Sequence, residues 1–384
     1  MSRIAPPSTP ERPIDEAFVA AALRGRRVLV TGHTGFKGGW LSLWLRRLGA
    51  DVVGIALPPQ GSSFHVSTGL DQLIDHRIAD IRDARALADA ANGIDAELVV
   101  HMAAQAIVRQ SYAAPAETFA TNVTGTANVL DMARAMPSLR AVIVVTSDKC
   151  YENHEWPWPY RETDMLGGSD PYSASKACTE IVATAYRRSY FNDRAGPQLA
   201  TVRAGNVIGG GDWAEDRLIP DIVRAALSGQ SVQLRNPRSI RPWQHVLEPL
   251  AGYLTLAAHL LSSRAPDFAE AWNFGPDPAQ SIDVETLARG IVGATRELAA
   301  PLDIAPPTAA PPEARLLRLD SSKAAARLGW KARLPAEDMI RMTTDWYAAF
   351  ARGDVDMRST SEAQIAAYAQ PVVTPAQQDF KRCA

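Results

Sequence analysis

The tightest limit on this chain's fold is a β-branched run, Arg26 to Thr31, that ends directly in Gly32-His33-Thr34-Gly35-Phe36-Lys37-Gly38. A short β-branched run that ends in glycine reads as a buried strand. Helical spacing follows in Trp40, Leu41, Leu43, Trp44, Leu45 and Leu48, closed by Gly49 as a helix C-cap. Asp51 to Ala56 is a second strand, which completes a β-α-β unit. Further apolar strands are predicted at Leu98 to Met102 and Ala141 to Thr146, separated by helical segments such as Phe119 to Arg134. Such alternation predicts an α/β fold with a doubly wound parallel sheet covered on both faces.

Glycines spaced GxxGxxG between a strand and a helix permit a tight turn. They also let backbone amides approach a pyrophosphate at the positive end of the helix. Gly32, Thr34, Gly35, Phe36, Lys37 and Gly38 are therefore candidate dinucleotide contacts. An NAD site usually carries an acid after the second strand. Here that stretch reads Gly54-Ile55-Ala56-Leu57-Pro58-Pro59. The absent arginine disfavours NADP and the absent acid weakens tight NAD binding; NAD is favoured on balance. Asp80-Ile81 follows a later strand-like stretch and is either an adenine contact or an ordinary turn.

Past Lys176 the composition changes. Ala200 to Val207 still reads as a strand of the sheet, whereas Gly209 to Trp243 is rich in glycine, arginine and proline. Trp272 to Phe274 and Leu316 to Leu319 are expected to be short strands, and Ala305 to Pro312 an extended connection. We expect a Rossmann domain over residues 25–205, to which about 240–265 return, and a smaller C-terminal substrate lobe over 206–350. Residues 1–24 and 352–384 are expected to be flanking tails.

With 384 residues, 46% hydrophobic, the chain has ample material for a large core. A net charge of −2 excludes a global field for nucleic acid or anionic lipid. No apolar run is long enough to span a bilayer and no secretion signal is evident, so neither nucleic-acid nor membrane partners are expected. Three cysteines without paired spacing fit a reducing, cytoplasmic setting. No cluster has metal-ligand spacing, and no metal is expected.

Tyr172 and Lys176 lie four residues apart, on one face of a helix. A nearby cation favours phenolate and would lower the tyrosine pKa toward that of a useful base. The YxxxK pattern alone arises by chance on the order of once per chain of this size. It gains weight because a strand ends just upstream in Thr146-Ser147-Asp148-Lys149, and doubly wound sheets bind ligands at strand C-termini. Capping by the hydroxyls and a surface ion pair are the bland alternatives. Arg217, Arg235 and Arg241 offer planar charge for a diphosphate, unless they are ordinary surface arginines. Asn206 could bond phosphate or sugar. His101 and His245 read as structural. Trp156-Pro157-Trp158-Pro159-Tyr160 is either a wall of the site or a packed surface loop.

The chain resembles the extended short-chain dehydrogenase/reductase family that modifies sugar nucleotides, and within it the CDP-glucose 4,6-dehydratases. The resemblance lies in TGHTGFKGGWLSLWL from Thr31, HMAAQAIVRQSY from His101, TSDKCYEN from Thr146, GGSDPYSASK from Gly167, GNVIGGGDWAEDRLIPD from Gly205 and IRPWQHVLEPL from Ile240. It implies that Tyr172 takes the proton of the sugar 4-hydroxyl and that Thr146 holds that hydroxyl in line. It implies that Lys176 tunes Tyr172 and bonds the nicotinamide ribose, and that Asp148 protonates the departing 6-hydroxyl. Lys149 would sit where the C5 proton leaves; dTDP-sugar dehydratases carry Asp-Glu where this chain has Asp148-Lys149, which leaves the C5 base open. Ala103, Ala104 and Gln105 would line the NAD site. Leu218 would join Asn206, Arg217, Arg235 and Arg241 around the nucleotide sugar, with Arg241 preferred for the diphosphate. A homodimer in deoxysugar and O-antigen biosynthesis is also implied. The rivals are another sugar-nucleotide enzyme, such as a 4-epimerase or a dTDP-glucose or GDP-mannose 4,6-dehydratase, and a non-catalytic Rossmann ligand sensor; the complete Tyr, Lys and Thr set speaks against the sensor.

Overall fold

A computed structural model describes residues 15–234, 236–277, 280–304, 316–353 and 355–370. Seven strands form one sheet: β1 (Arg27–Thr31), β2 (Asp51–Ala56), β3 (Asp75–Ile78), β4 (Leu98–His101), β5 (Ala141–Val145), β6 (Gln198–Ala204) and β7 (Ala271–Phe274). Their spatial order is β7-β6-β5-β4-β1-β2-β3, with every pairing parallel. Strand order reverses between β1 and β4, where Thr31 lies beside His101. Doubly wound sheets bind ligands at such a point.

The helices that matter are α1 (Glu16–Leu23), α2 (Phe36–Arg47), α3 (Ala84–Ala91), α4 (Gly125–Arg134), α5 (Pro171–Ser189), α6 (Leu218–Ser228), α7 (Leu247–Leu260), α8 (Ala336–Arg352) and α9 (Met357–Ala369). Successive strand side chains point to opposite faces, so Val28 and Val30 enter one core while Leu29 enters the other. The first core is closed by α1, α2, α7, α8 and α9, the second by α3, α4 and α5.

The segment 240–265, expected to return to the Rossmann unit, carries α7, whose Leu250 and Leu254 are buried in the first core. Ala271–Phe274 becomes the edge strand β7 of the main sheet. Of the Leu316–Leu319 stretch, Leu319 makes a single bridge to Tyr160 instead of a strand. Arg235 and the connection Ala305 to Pro312 lie outside the described residues.

Both ends differ from the expected tails. Asp15 caps α1, and Val19 and Leu23, one turn apart, are buried. Near the other end, α9 buries Met357, Ser361, Ile365 and Tyr368. Tyr368 meets Trp44 edge-on, and the Ser361 hydroxyl accepts a hydrogen bond from the Trp346 indole at 2.9 Å.

Trp40 ties the glycine loop's helix to Phe64 and to the Gly210 segment. It is fully buried, stacks on Phe64 at 4.6 Å, and its indole N–H donates to the Gly210 carbonyl at 2.8 Å. Large-to-small replacement of such a residue leaves a cavity as well as a lost transfer term, so Trp40→Ala should cost about 3–5 kcal/mol. Urea unfolding would read this as a lower midpoint with unchanged slope.

Candidate active site

A cleft of about 780 Å³ opens at the C-terminal ends of the strands and gathers groups from both halves of the chain. The glycine turn forms one wall. Gly32 has φ +80°, and a Cβ there would stand 2.7 Å from the Ala103 amide nitrogen. A Cβ on Gly38 would meet the Gly32 carbonyl at 2.2 Å. No side chain caps the first turn of α2, where Gly35 is the N-cap. A close-approach loop ending on an uncapped helix start fits a pyrophosphate. Thr34, Phe36, Lys37, Asp80, Ile81, Ala103, Ala104 and Gln105 line the same wall. The Asp80 carboxylate is gripped by the Arg82 guanidinium at 2.6 Å, which holds its pKa below the usual carboxylate range. Arg82, not singled out from the sequence, also pairs with Glu117 and lines the cleft.

Beneath the loop, His33, His65 and His76 pack together, with His33 Nε2 2.5 Å from His76 Nδ1. Burial, then the neighbouring imidazoles, push the His33 pKa down to about 3. His101 is similarly neutral, at about 3 by burial, and bonds Thr31 and Thr126. His101 and His245 are buried outside the cleft lining.

The opposite wall holds the reactive side chains. Asp170 caps α5 by accepting the Ser173 amide, and Pro171 opens its first turn. One turn separates Tyr172 from Lys176, and both face the cleft. Burial lowers the Lys176 ammonium to about 8, and its Nζ donates to the Val145 carbonyl at 3.4 Å. The expected lowering of the Tyr172 pKa is not met. Burial pushes the phenol up to about 12, against a hydrogen bond with Ser147 that pulls it down.

The hydroxyl assigned to Thr146 also needs correcting. Thr146 lines the cleft, but its Oγ1 donates to the buried Glu180 Oε1 at 2.5 Å. Ser147 is the hydroxyl at Tyr172, and it also donates to Asp148 Oδ1 at 3.0 Å. Adjacent residues leaving a strand point to opposite sides, so only one of the pair can face Tyr172. Asp148 is buried; its Oδ2 has no hydrogen-bond partner, and burial raises its pKa, opposed mainly by the Lys149 charge. Lys149 is half-buried and lines the cleft.

From beyond β6 in the chain, Asn206, Arg217, Leu218 and Arg241 also line the cleft. Arg217 pairs with Asp212 at 2.9 Å. Arg109 and Asp216, absent from the sequence reading, join across the cleft at 2.8 Å, with Asp216 at φ +60°. Trp156 and Trp158 lie outside the cleft on an exposed loop, where Trp156 stacks on Tyr160.

The family model described as GDP-mannose 4,6 dehydratase matches residues 29–343. The chain belongs to that family. Within the GDP-mannose 4,6-dehydratase family, it is 48% identical over 351 residues to the CDP-glucose 4,6-dehydratase of Salmonella typhimurium, covering 90% of this chain and 96% of that protein. The dTDP-glucose 4,6-dehydratase of Xanthomonas campestris pv. campestris is 27% identical over 335 residues, covering 83% and 92%. Among solved structures, a double mutant of the dTDP-glucose 4,6-dehydratase DesIV from Streptomyces venezuelae, with NAD bound, superposes with a TM-score of 0.70 at 25% identity. That match covers 84% of this chain and 97% of the other. A UDP-glucose 4-epimerase from Stenotrophomonas maltophila, with a TM-score of 0.72 at 24% identity over 85% and 99%, shares the fold. No helix among the described residues is long and apolar enough to cross a membrane.

Proposed function

We propose that this protein is an NAD-dependent CDP-glucose 4,6-dehydratase, converting CDP-glucose to CDP-4-dehydro-6-deoxyglucose and water. The observation that carries this reading is Asp148. A buried carboxyl group whose pKa burial raises, with one oxygen left without a hydrogen-bond partner and lining the same cleft as Tyr172, is suited to protonate a leaving group. A 4-epimerase expels nothing and has no use for it. Cytidine as the base is supported by the 48% identity to the Salmonella typhimurium enzyme.

The glycine turn, Asp80, Ile81 and the Ala103–Gln105 segment would hold NAD, with Tyr172 and Lys176 at its nicotinamide end. When bound, NAD supplies acceptance of the C4 hydride and its return to C6. Tyr172 removes the proton of the 4-hydroxyl, and Ser147 aligns that hydroxyl in place of Thr146. Lys176 and Arg217 place positive charge where phenolate must form. Asp148 protonates the departing 6-hydroxyl, and Lys149, as its neutral amine, takes the C5 proton. Asn206, Arg217, Leu218 and Arg241 hold the nucleotide sugar, with Arg241 on the diphosphate. On this reading residues 25–205 serve mainly the cofactor and 206–350 mainly the substrate. Free cysteines at 150 and 178 support a reducing, cytoplasmic setting, and the family resemblance supports a homodimer making deoxysugars for O-antigen.

The hydride is returned within each cycle, so NAD acts catalytically. Full conversion of CDP-glucose is expected with NAD far below the substrate concentration and no lasting reduced-nicotinamide absorbance. Reduced cofactor accumulating in step with product would instead make this a simple dehydrogenase. Mass spectrometry with CDP-glucose, dTDP-glucose and GDP-mannose offered separately should find loss of water with the first.

A further inference from the structure

The acid-bearing turn and the base-bearing helix come from different parts of the fold, yet they must meet on one sugar. Tyr172 and Lys176 lie on α5, whereas Ser147, Asp148 and Lys149 lie on the short turn after β5. Glu180, two turns beyond Tyr172 on the same helix, is almost fully buried and does not line the cleft. Its carboxylate is saturated. Oε1 accepts Thr146 Oγ1 at 2.5 Å and Arg203 Nε at 2.9 Å; Oε2 accepts Thr201 Oγ1 at 2.7 Å and Arg203 Nη2 at 2.9 Å.

Arg203 carries the connection onward. Its Nη1 donates to the Tyr151 hydroxyl at 2.7 Å, and Tyr151 in turn donates to Asn273 Oδ1 at 2.8 Å. Thr146 immediately precedes the reactive turn and Tyr151 closes it. The turn is thus fastened at both ends to one buried ion pair, and one member of that pair belongs to the helix of Tyr172. A bidentate Arg–carboxylate contact fixes orientation as well as distance.

We propose that Glu180 is a positioning residue that sets the Ser147–Asp148–Lys149 turn in register with Tyr172 and Lys176. The proposal rests on the dehydratase reading, since only that reaction needs both groups on one substrate. Loosening this link leaves Tyr172 and Lys176 on an intact helix, with Ser147 still held by its hydrogen bond to Tyr172, but lets Asp148 and Lys149 drift. C4 oxidation should then survive better than elimination.

Thr146→Val keeps shape and removes only the hydroxyl bonded to Glu180. It should hold the thermal midpoint and the KM for CDP-glucose near wild type while kcat falls by about 10²-fold, as expected for a small misplacement of a reacting group. Reduced-nicotinamide absorbance should build up on the enzyme, and Thr146→Ser should restore turnover. Glu180→Gln should give the same signature. Normal turnover in Thr146→Val or in folded Glu180→Gln overturns the proposal. So does lost turnover without that absorbance, which would put Thr146 in the oxidation step itself. If wild type removes no water from CDP-glucose, the functional reading falls and takes this inference with it. If wild type works and Thr146→Val works equally well, only the inference falls.

Discussion

Tyr172→Phe should lose about 10²–10⁴-fold in turnover, the usual value of a positioned general base, while still binding the sugar nucleotide. The ring stays and only the oxygen goes, so packing against the start of α5 is kept. The phenol's pKa of about 12 means that its base form is scarce at neutral pH. In wild type kcat/KM should therefore climb with pH, until Lys176 begins to lose its proton near 8 and only Arg217 is left to favour phenolate. Tyr172→Phe should lack that climb. Lys176→Ala should lose both rate and NAD affinity, because one ammonium serves both. Near-normal turnover in Tyr172→Phe, measured with binding by calorimetry, would remove the phenol from the mechanism.

The parts of this site that were readable from sequence are those where sterics leave one solution. Gly32 and Gly38 have no space for a Cβ, so the strand-to-helix turn announces itself in any chain that needs it. Tyr172 and Lys176 are legible because a helical turn fixes their spacing. Thr146 and Ser147 are not distinguishable that way. Both are hydroxyls at a strand end, and only the path of the backbone decides which faces Tyr172 and which faces Glu180. The Tyr172 pKa was misread because a neighbouring lysine is visible in sequence and burial is not. Glu180 left no signal, since its partners Thr146, Thr201 and Arg203 come from two other strands or their ends. The helix α9 was missed for a different reason. Its inner stripe of Met357, Ser361, Ile365 and Tyr368 includes a serine that is buried because the Trp346 indole bonds it. A pattern counted in apolar residues alone passes over such a helix.

Asp148→Asn and Lys149→Ala should each stop the reaction after its first half. Oxidation at C4 makes the C5 proton acidic, and elimination then needs a base at C5 and an acid at the 6-hydroxyl. Neither group is needed by Tyr172 when it takes the 4-hydroxyl proton. Both variants should therefore show a stable reduced-nicotinamide absorbance and a bound 4-keto sugar that keeps its 6-hydroxyl, with loss of dehydration of about 10²-fold or more. Asparagine fills the Asp148 site but has no proton to give, so the carboxyl's raised pKa is lost with the acid. Deuterated water separates the two roles. Asp148→Asn should still exchange the C5 proton, because its base is intact, whereas Lys149→Ala should not. Glu152, the nearest acidic alternative in sequence, is exposed and does not line the cleft. Normal exchange and normal product in Lys149→Ala would therefore move the base to a water molecule held in the cleft and leave Lys149 with a purely electrostatic part, lowering the cost of the negative charge that Asp148 carries once its proton has gone.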